Sequence, residues 1–316
     1  MENNIMVSVI CNTYNHEKHI KAALDGFVMQ KTDFLFEVLI HDDASTDKTA
    51  DIIREYENKY PDIIKPIYQT ENKYSQKIPI SKTFQYSRAK GKYIAFCEGD
   101  DYWTHPLKLQ KQFDLMETHP ECDMCAHAAQ YEIKGRLEDR YIMPSREDTV
   151  LTADDVILGG GGYLATASLF YKKEIIDNTP KFREIHSYDY TLQIQGSLSG
   201  GILYIADCMS VYRFQTPNSW SDRMKVDKTR FVDLSRKNIK MLEQLNLDTN
   251  YRYNYAIIKT LKGKKKEMLY TMYCQRLKPT EDDEWIKNYP LSQKILLRLR
   301  QALHIIKQTL KSIIRK

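Results

Sequence analysis

No stretch of this sequence reaches the roughly 20 uninterrupted apolar residues needed to cross a bilayer. The run from Val156 to Tyr171 comes nearest and is uncharged, but Gly159 to Gly162 and several hydroxyls make it a turn feeding a strand. The N-terminus, MENNIMVSVIC, lacks the basic segment and long apolar run of a secretory leader. A zinc pattern is missing as well: Cys122-Asp-Met-Cys125 is a lone C-x-x-C, with no second pair or His cluster at ligand spacing. Cys11, Cys97 and Cys208 lie in or beside apolar strand-like runs, where a thiol acts as a small hydrophobe. These absences point to structural thiols in an unsecreted protein of a reducing compartment, the cytoplasm.

Acid is absent from one end. From Trp285 onward there are eight Lys and Arg and no Asp or Glu, which leaves 39 basic against 42 acidic residues, about −3, over residues 1–284. The formal charge of +5 therefore belongs to the tail, and the main body lacks the basic footprint of a nucleic-acid binder. No internal repeat is present. What remains is a chain of 316 residues with 42% hydrophobic and 28% charged residues, enough for one large α/β domain with an appendage or for two domains.

The first hundred residues alternate strand and helix. Val7–Cys11 reads as a strand ending in turn chemistry at Asn12-Thr13-Tyr14-Asn15, and His16–Gln30 as a helix with Ile20, Ala23, Leu24 and Phe27 at 3–4 spacing. Phe36–His41 is a second strand, Thr49–Tyr60 a helix capped by Ser45 or Thr46, and Ile63–Tyr68 a third strand. Ser81–Arg88 reads as a short helix, Lys92–Cys97 as a fourth strand, and Pro106–Thr118 as a helix with Pro in its first turn. Strands are further expected at Cys122–Tyr131, Ala167–Tyr171, Leu203–Ala206 and Met209–Phe214, with helices at Ala153–Leu158 and Tyr190–Leu198. Beyond Trp220 the pattern is helical, over about Val226–Leu245, Tyr251–Arg276 and Leu291–Lys316. The alternation predicts βαβ units on a mostly parallel sheet flanked by helices, and such sheets bind ligands beyond the carboxyl ends of their strands. The expected division is a domain over 1–220 and a C-terminal helical region over 221–316.

Two acidic clusters stand at strand ends. Glu98-Gly99-Asp100-Asp101 places three carboxylates in four residues, an arrangement that a divalent cation with oxygen ligands stabilises; an acidic turn leading into the Pro106 helix is the plainer alternative. Asp42-Asp43-Ala-Ser-Thr-Asp47 offers acceptors for a base or ribose, or simply an acidic helix start.

Three ordered segments carry a resemblance: Val7–Asn15, Glu37–Asp47 and Gly91–Trp103. In order and spacing, over about residues 5 to 215, they resemble the family 2 glycosyltransferases of the GT-A fold. That family comprises inverting enzymes using nucleotide-diphospho-sugars. The resemblance implies nucleotide contacts at Thr13, Tyr14 and Asn15, base or ribose contacts at Asp42 and Asp43, and a DxD-type site for Mn or Mg at Glu98, Asp100 and Asp101, with Asp100 the first metal ligand. The pattern departs at Glu98, where the family has Asp, and at Lys82, which stands where many relatives carry an Arg. Lys is a point charge and not a fork, so its diphosphate contact is weakened. Inversion requires a base for the acceptor hydroxyl. The family's acidic residue at a helix start corresponds to Asp189, whose alternative role is N-cap of the Tyr190 helix; Asp177 and Asp154 fit the order less well. Arg213 could add a cation for the leaving group, and Trp103 and Trp220 either flank the sugar or pack.

In the tail, Ile295, Leu299, Ala302, Leu303, Ile306, Leu310 and Ile313 recur at 3–4 spacing, with Lys294, Arg298, Lys307, Lys311 and Arg315 among them. A basic amphipathic helix without acids reads as a membrane-surface helix, against the alternative of a helix packed on its domain. The reading as a whole is a metal-dependent sugar transferase, peripheral on the inner face of the cell membrane. Its donor is a nucleotide-sugar, and its acceptor a lipid-linked saccharide of cell-surface polysaccharide biosynthesis. The competing classes are a nucleotidyltransferase, for which a Gly-rich basic loop after the first strand is lacking, and a non-catalytic membrane adaptor, against which the retained acidic clusters argue.

Overall fold

The structure is a computed structural model of the chain and describes residues 4–186, 188–214, 222 and 226–314. The elements in chain order are β1 (Ile5–Thr13), α1 (Ile20–Val28), β2 (Leu35–Asp42), α2 (Thr49–Lys59), β3 (Ile64–Tyr68), β4 (Tyr93–Phe96), β5 (Tyr102–Trp103) and α3 (Lys108–Thr118). They continue as β6 (Met124–Ile133), β7 (Arg136–Ile142), β8 (Thr149–Leu151), α4 (Ala153–Gly159), β9 (Phe170–Lys172), α5 (Glu174–Asp177), α6 (Lys181–Ile185), α7 (Asp189–Ser197) and β10 (Ile202–Phe214). Three long helices follow: α8 (Lys228–Asp248), α9 (Asn254–Gln275) and α10 (Leu291–Ile314). The chain divides into two units, Met1–Pro180 with Ser187–Thr216, and Lys181–His186 with Pro217–Lys316.

The first unit is built on one sheet in the order β3-β2-β1-β4-β9-β6-β10-β5, with β7 on β6 and β8 on β10. Pairing is parallel through β3, β2, β1 and β4 and between β6 and β10; β9 lies antiparallel between β4 and β6. Two antiparallel steps restore direction, so β6 and β10 run the same way as β4, and their carboxyl ends fall on the same edge. The chain passes outward from β1 to β2 and β3, then returns to place β4 on β1's other side. That switch point is where such sheets open a crevice. Val7, Val9, Ile10 and Cys11 of β1 are all fully buried, as a strand covered on both faces requires. Helix α1 lays Ile20, Ala23, Leu24 and Phe27 against the sheet.

Several boundaries differ from the sequence reading. Helix α1 begins at Ile20 and not His16, because His16–His19 closes into a turn in which the His19 and Ile20 amides both donate to the His16 carbonyl. Neither Ser45 nor Thr46 caps α2: the Asp47 carboxylate accepts from the Thr49 amide at 2.9 Å, and Ser45 serves Asp42 instead. The expected Ser81 helix is a π-helical turn over Ser81–Gln85, the expected Ala167 strand begins at Phe170 after a 3-10 turn, and the two last strand pieces are one bulged strand, β10. Strands β5, β7 and β8 were not anticipated; they are short or exposed edge pieces with little apolar pattern.

In the second unit, Val232, Ile239, Met268 and Met272 form a core between α8 and α9, with Leu277 and Trp285 packed on it. A 3-10 turn at Glu281–Ile286 is fixed by Arg236 of α8, whose guanidinium is bidentate on the buried Asp283 carboxylate (2.7 and 3.1 Å). Helix α10 packs through Leu297, which is 1% exposed, and through Gln301, whose amide donates to the Tyr273 carbonyl at 2.6 Å. The stripe expected to be apolar stands open: Ile295, Leu299, Leu303 and Ile306 are all more than half exposed. Leu310, Ile313, Lys307, Lys311 and Arg315 lie where side chains are not described. Among the described residues no helix is long and apolar enough to cross a membrane.

Between β1 and β2, buried Glu37 accepts from the Ser8 hydroxyl (2.8 Å) and the Lys90 amide (2.9 Å), and Ser8 accepts in turn from the Gly91 amide. A Cβ at Gly91 would stand 2.5 Å from the Ser8 nitrogen and 2.7 Å from the Val7 carbonyl carbon. Backbone atoms of a central strand cannot yield, so Gly91→Ala should destabilise the first unit by about 2 kcal/mol or more. Urea unfolding followed by circular dichroism measures this, and an unchanged midpoint would contradict the close approach.

Candidate functional site

Beyond the carboxyl ends of the paired strands β1 and β4, where a crevice is expected, the candidate site is built from the strand ends upward. β1 delivers Thr13, buried, and Tyr14, 42% exposed, followed by Asn15 in the left-handed region at φ 54°. That turn is stapled to the β2–α2 loop: the Asn15 amide donates to Ser45 Oγ (2.9 Å), and Asn15 Oδ1 accepts from the Thr46 amide (2.8 Å). β4 delivers Glu98-Gly99-Asp100-Asp101, whose Gly99 amide donates to the Asn12 carbonyl. A Cβ at Gly99 would meet Thr13 Oγ1 at 2.8 Å and His16 Nδ1 at 3.0 Å, so the acidic turn lies directly on the end of β1.

Asp42 and Asp43 close the β2 side, and both are buried. Asp42 accepts from the Ser45 amide (3.2 Å) and hydroxyl (2.5 Å). Burial raises its pKa, and the Ser45 bonds oppose the rise. Asp43 accepts from the Lys73 amide (2.7 Å) and the Tyr74 amide (3.0 Å), which fixes the loop after β3 beside the crevice. Lys82 is exposed on the π-helical turn, which Gln85 pins to the Cys11 and Leu39 carbonyls and which Asn12 reaches through Ser81 Oγ (2.9 Å). Lys82 thus stands beside the end of β1.

On the β10 side, buried Asp101 accepts from the Arg213 amide at 2.8 Å. Burial drives its pKa well up, and the charges of Asp100 and Glu98 add to the rise. The Arg213 guanidinium donates to the Asp100 carbonyl (2.8 Å), pairs with Glu132 (3.1 Å) and lies 4.4 Å from the Tyr102 ring centroid. It is a clamp on the acidic turn, its charge partly neutralised by Glu132.

Asp189 reaches the same edge by way of Thr166. Ala95 of β4 pairs with Phe170, and the Phe96 amide donates to the Leu169 carbonyl, so the antiparallel segment before β9 runs back past the end of β4. The Thr166 hydroxyl donates to the Asp189 carboxylate. Asp189 is the first residue of α7, with Tyr188 at the cap position, so it does not cap the helix as the alternative reading had it. Burial raises its pKa, partly offset by the Thr166 bond.

Trp103 is corrected: it is 2% exposed, donates from Nε1 to the Ala167 carbonyl (2.9 Å), stacks edge-on with Phe27 at 4.9 Å and lies under the Lys108 ammonium at 3.8 Å. An indole this deep is core and cannot flank a sugar. Trp220 lies outside the described residues. Thr166, Glu132, His16 and Ser45 were missed from sequence. His16, directly after Asn15, and Ser45, inside the Asp42–Asp47 segment, were close enough to a motif to be found.

The site fits a polar, charged ligand. Asn12 Oδ1, Thr13 Oγ1 and His16 Nδ1 are buried without a hydrogen-bond partner among the described residues, all at this crevice. Among those residues no group of three His, Cys, Asp or Glu side chains is arranged to hold a metal by itself. One or two carboxylates completed by diphosphate oxygens form a sufficient shell for Mg or Mn, and the crowded Glu98 and Asp100 suit that arrangement.

A family model described as glycosyl transferase family 2 matches residues 8–215. An uncharacterized protein of Mycobacterium tuberculosis is 35% identical over 231 residues, covering 71% of this chain and 64% of its own. The chain thus matches less than two thirds of the length of such relatives. The Escherichia coli UDP-Glc:alpha-D-GlcNAc-diphosphoundecaprenol beta-1,3-glucosyltransferase WfaP is 37% identical over 113 residues, 36% of this chain and 42% of that protein. Among solved structures, Staphylococcus aureus TarS in complex with UDP superposes with a TM-score of 0.61 at 21% identity, covering 89% of this chain and 78% of that one. The Pyrobaculum calidifontis mannosyltransferase PcManGT with GDP-Man and Mn2+ gives 0.52 at 14% identity, covering 99% and 88%. These structures share the GT-A fold.

The raised pKa of Asp189 makes a stability prediction. Its ordinary value is 3.8 and the folded value lies higher, so its contribution is most favourable below pH 3.8 and is lost as pH rises through the folded pKa. Asp189→Asn removes that loss. The melting temperature of the Asn variant relative to wild type should therefore rise as pH is raised from below 3.8 to neutrality. A constant difference across that range would show that burial does not shift the carboxyl.

Proposed function

The chain belongs to glycosyl transferase family 2, and on that premise we propose that it transfers a sugar, with inversion, from a nucleotide-diphospho-sugar to a hydroxyl of a lipid-linked saccharide in cell-surface polysaccharide assembly. The observation that carries the reading is the meeting at one sheet edge of the Glu98–Asp101 turn, the Asp42–Asp43 wall and a crevice with three unpartnered buried polar atoms. The UDP complex of TarS and the UDP-Glc in the Escherichia coli relative's name support a nucleotide-sugar donor. That relative's diphosphoundecaprenol substrate supports a lipid-linked acceptor.

In the proposed reaction Thr13, Tyr14, Asn15 and the two aspartates of β2 take the nucleoside, and Lys82 faces the diphosphate. Glu98 and Asp100 would hold Mg or Mn, the latter being the ion of the PcManGT complex. When bound, the ion acts as a Lewis acid on the leaving group. Asp189 removes the proton from the acceptor hydroxyl as its oxygen bonds to the anomeric carbon and the carbon–oxygen bond to the diphosphate breaks. A carboxyl with a raised pKa is a stronger base, which suits Asp189. Arg213 acts on this chemistry indirectly, by holding the Asp100 carbonyl in place.

UDP-, GDP- and dTDP-sugars screened by thermal shift with Mn should give one donor that stabilises the protein, since a ligand bound only by the native state raises its stability. Asp100→Ala or EDTA should abolish both that shift and donor hydrolysis. Undiminished hydrolysis in EDTA would remove the metal from the account.

The open aliphatic stripe of α10 and the cations of that helix support attachment to an anionic membrane surface, on the cytoplasmic side. Each Lys or Arg near such a surface contributes about 1 kcal/mol, screened by salt. Because Leu297 packs inward, deleting the helix would expose α9. Replacing Leu299, Leu303 and Ile306 by Ser tests attachment more cleanly. That variant should leave phosphatidylglycerol vesicles in flotation while hydrolysing donor at the wild-type rate; retained flotation would place attachment elsewhere.

A further inference from the structure

Within the C-terminal unit, α9, the turn after it and α10 border an open cavity of about 540 Å³. Arg276, Lys278, Lys294 and Arg298 line it, and no carboxylate does among the described residues. Apolar side chains, among them Leu277 and Ile286, form the rest of its wall. Four cations converging on one hollow repel one another, and folding alone gives no reason to collect them there.

Among the described residues no carboxylate balances their charge. The Lys294 ammonium donates to the Lys287 carbonyl (3.3 Å), and Arg298 lies 5.2 Å from the Tyr273 ring centroid. None of the four is in an ion pair among the described residues. The nearby acidic run at Glu281–Glu284 does not supply one: Asp283 is held by Arg236, Asp282 by Lys240 and Glu284 by Lys287, and Glu281 is not part of the wall. An apolar wall beside unpaired guanidinium forks matches a phosphate joined to a hydrocarbon chain better than a free inorganic anion. Ile295 and Leu299, each one residue on from a lining cation, are more than half exposed, so apolar surface continues past the rim. The volume is within the range of small-ligand sites.

We propose that this cavity binds the phosphate head of an anionic amphiphile, with Arg276, Lys278, Lys294 and Arg298 on the phosphate and the chain leaving along the aliphatic side of α10. The inference deepens the membrane attachment proposed above and rests on that reading for its setting only, since a single lipid in the cavity is a different event from adsorption of α10 to a bilayer.

The full-length protein is titrated calorimetrically with dihexanoyl phosphatidate below its micelle concentration, with dihexanoyl phosphatidylcholine, and with inorganic phosphate. Dihexanoyl phosphatidate should bind at least about tenfold more tightly than either of the other two. The Arg276→Ser/Lys278→Ser pair, and separately Arg298→Ser, should each weaken it by about tenfold while melting temperature and donor hydrolysis stay at wild-type values. The α10 variant lacking Leu299, Leu303 and Ile306 should keep most short-chain lipid binding even where it loses vesicles, which separates failure of the cavity from failure of the attachment. Equal binding of inorganic phosphate would reduce the cavity to a free-anion site and overturn the proposal. So would unchanged lipid affinity in both cation variants, or no binding of the phosphatidate to the wild-type protein.

Discussion

Three carboxylic groups in four residues at the end of β4 must be held together against their own repulsion, and much of the first unit is arranged around that constraint. Gly99 lets the turn lie on Thr13 and His16 with no room for a side chain. The Arg213 guanidinium ties the Asp100 carbonyl while its amide serves Asp101, so one residue of β10 fixes two of the turn's four. Glu132 offsets the cation that does this work. The repulsion that survives appears in Asp101, whose proton is held well above the ordinary carboxyl range by burial and by its neighbours. A bound cation would relieve it, as in the diphosphate site proposed above.

Much of the sheet was legible in the sequence because its strands are buried on both faces and read as short apolar runs between turn residues. The strand-end clusters were legible for the same reason: the polar and acidic residues that follow the apolar runs of β1, β2 and β4 mark where those strands end. What was not legible depends on contacts distant in sequence. Trp103 follows the acidic turn and looked like a sugar platform, yet a two-residue strand pairing with β10 turns it into the core. The partner of Arg213 could not be read from sequence because Glu132 lies 81 residues away. Asp189 sits one residue inside α7, and its connection to the site through Thr166 could not be read from spacing.

The C-terminal helices divide their apolar surface in a way that periodicity alone obscures. The stripe counted on α10 is the open one, and the residue that packs, Leu297, lies outside it. A helix that is apolar over so wide an arc can dock on α9 and still present aliphatic side chains outward. Between these two faces fall Lys294 and Arg298, and the hollow they share with Arg276 and Lys278 places charge beside greasy surface. The chain thus carries a polar strand-end site in one unit and a basic, amphiphilic hollow in the other, the two surfaces on which the proposed donor and lipid would rest.

The central claim is that Asp189 acts as base at a crevice whose donor contacts are made by other residues. Turnover and donor affinity of Asp189→Asn, measured with whichever sugar nucleotide stabilises the wild-type protein, test it most directly. The amide preserves size and the Thr166 contact but cannot take a proton, so turnover should fall by roughly 10²–10⁴-fold while the donor dissociation constant stays near wild type. A variant that keeps its turnover, or one that loses donor binding along with it, would contradict the assignment.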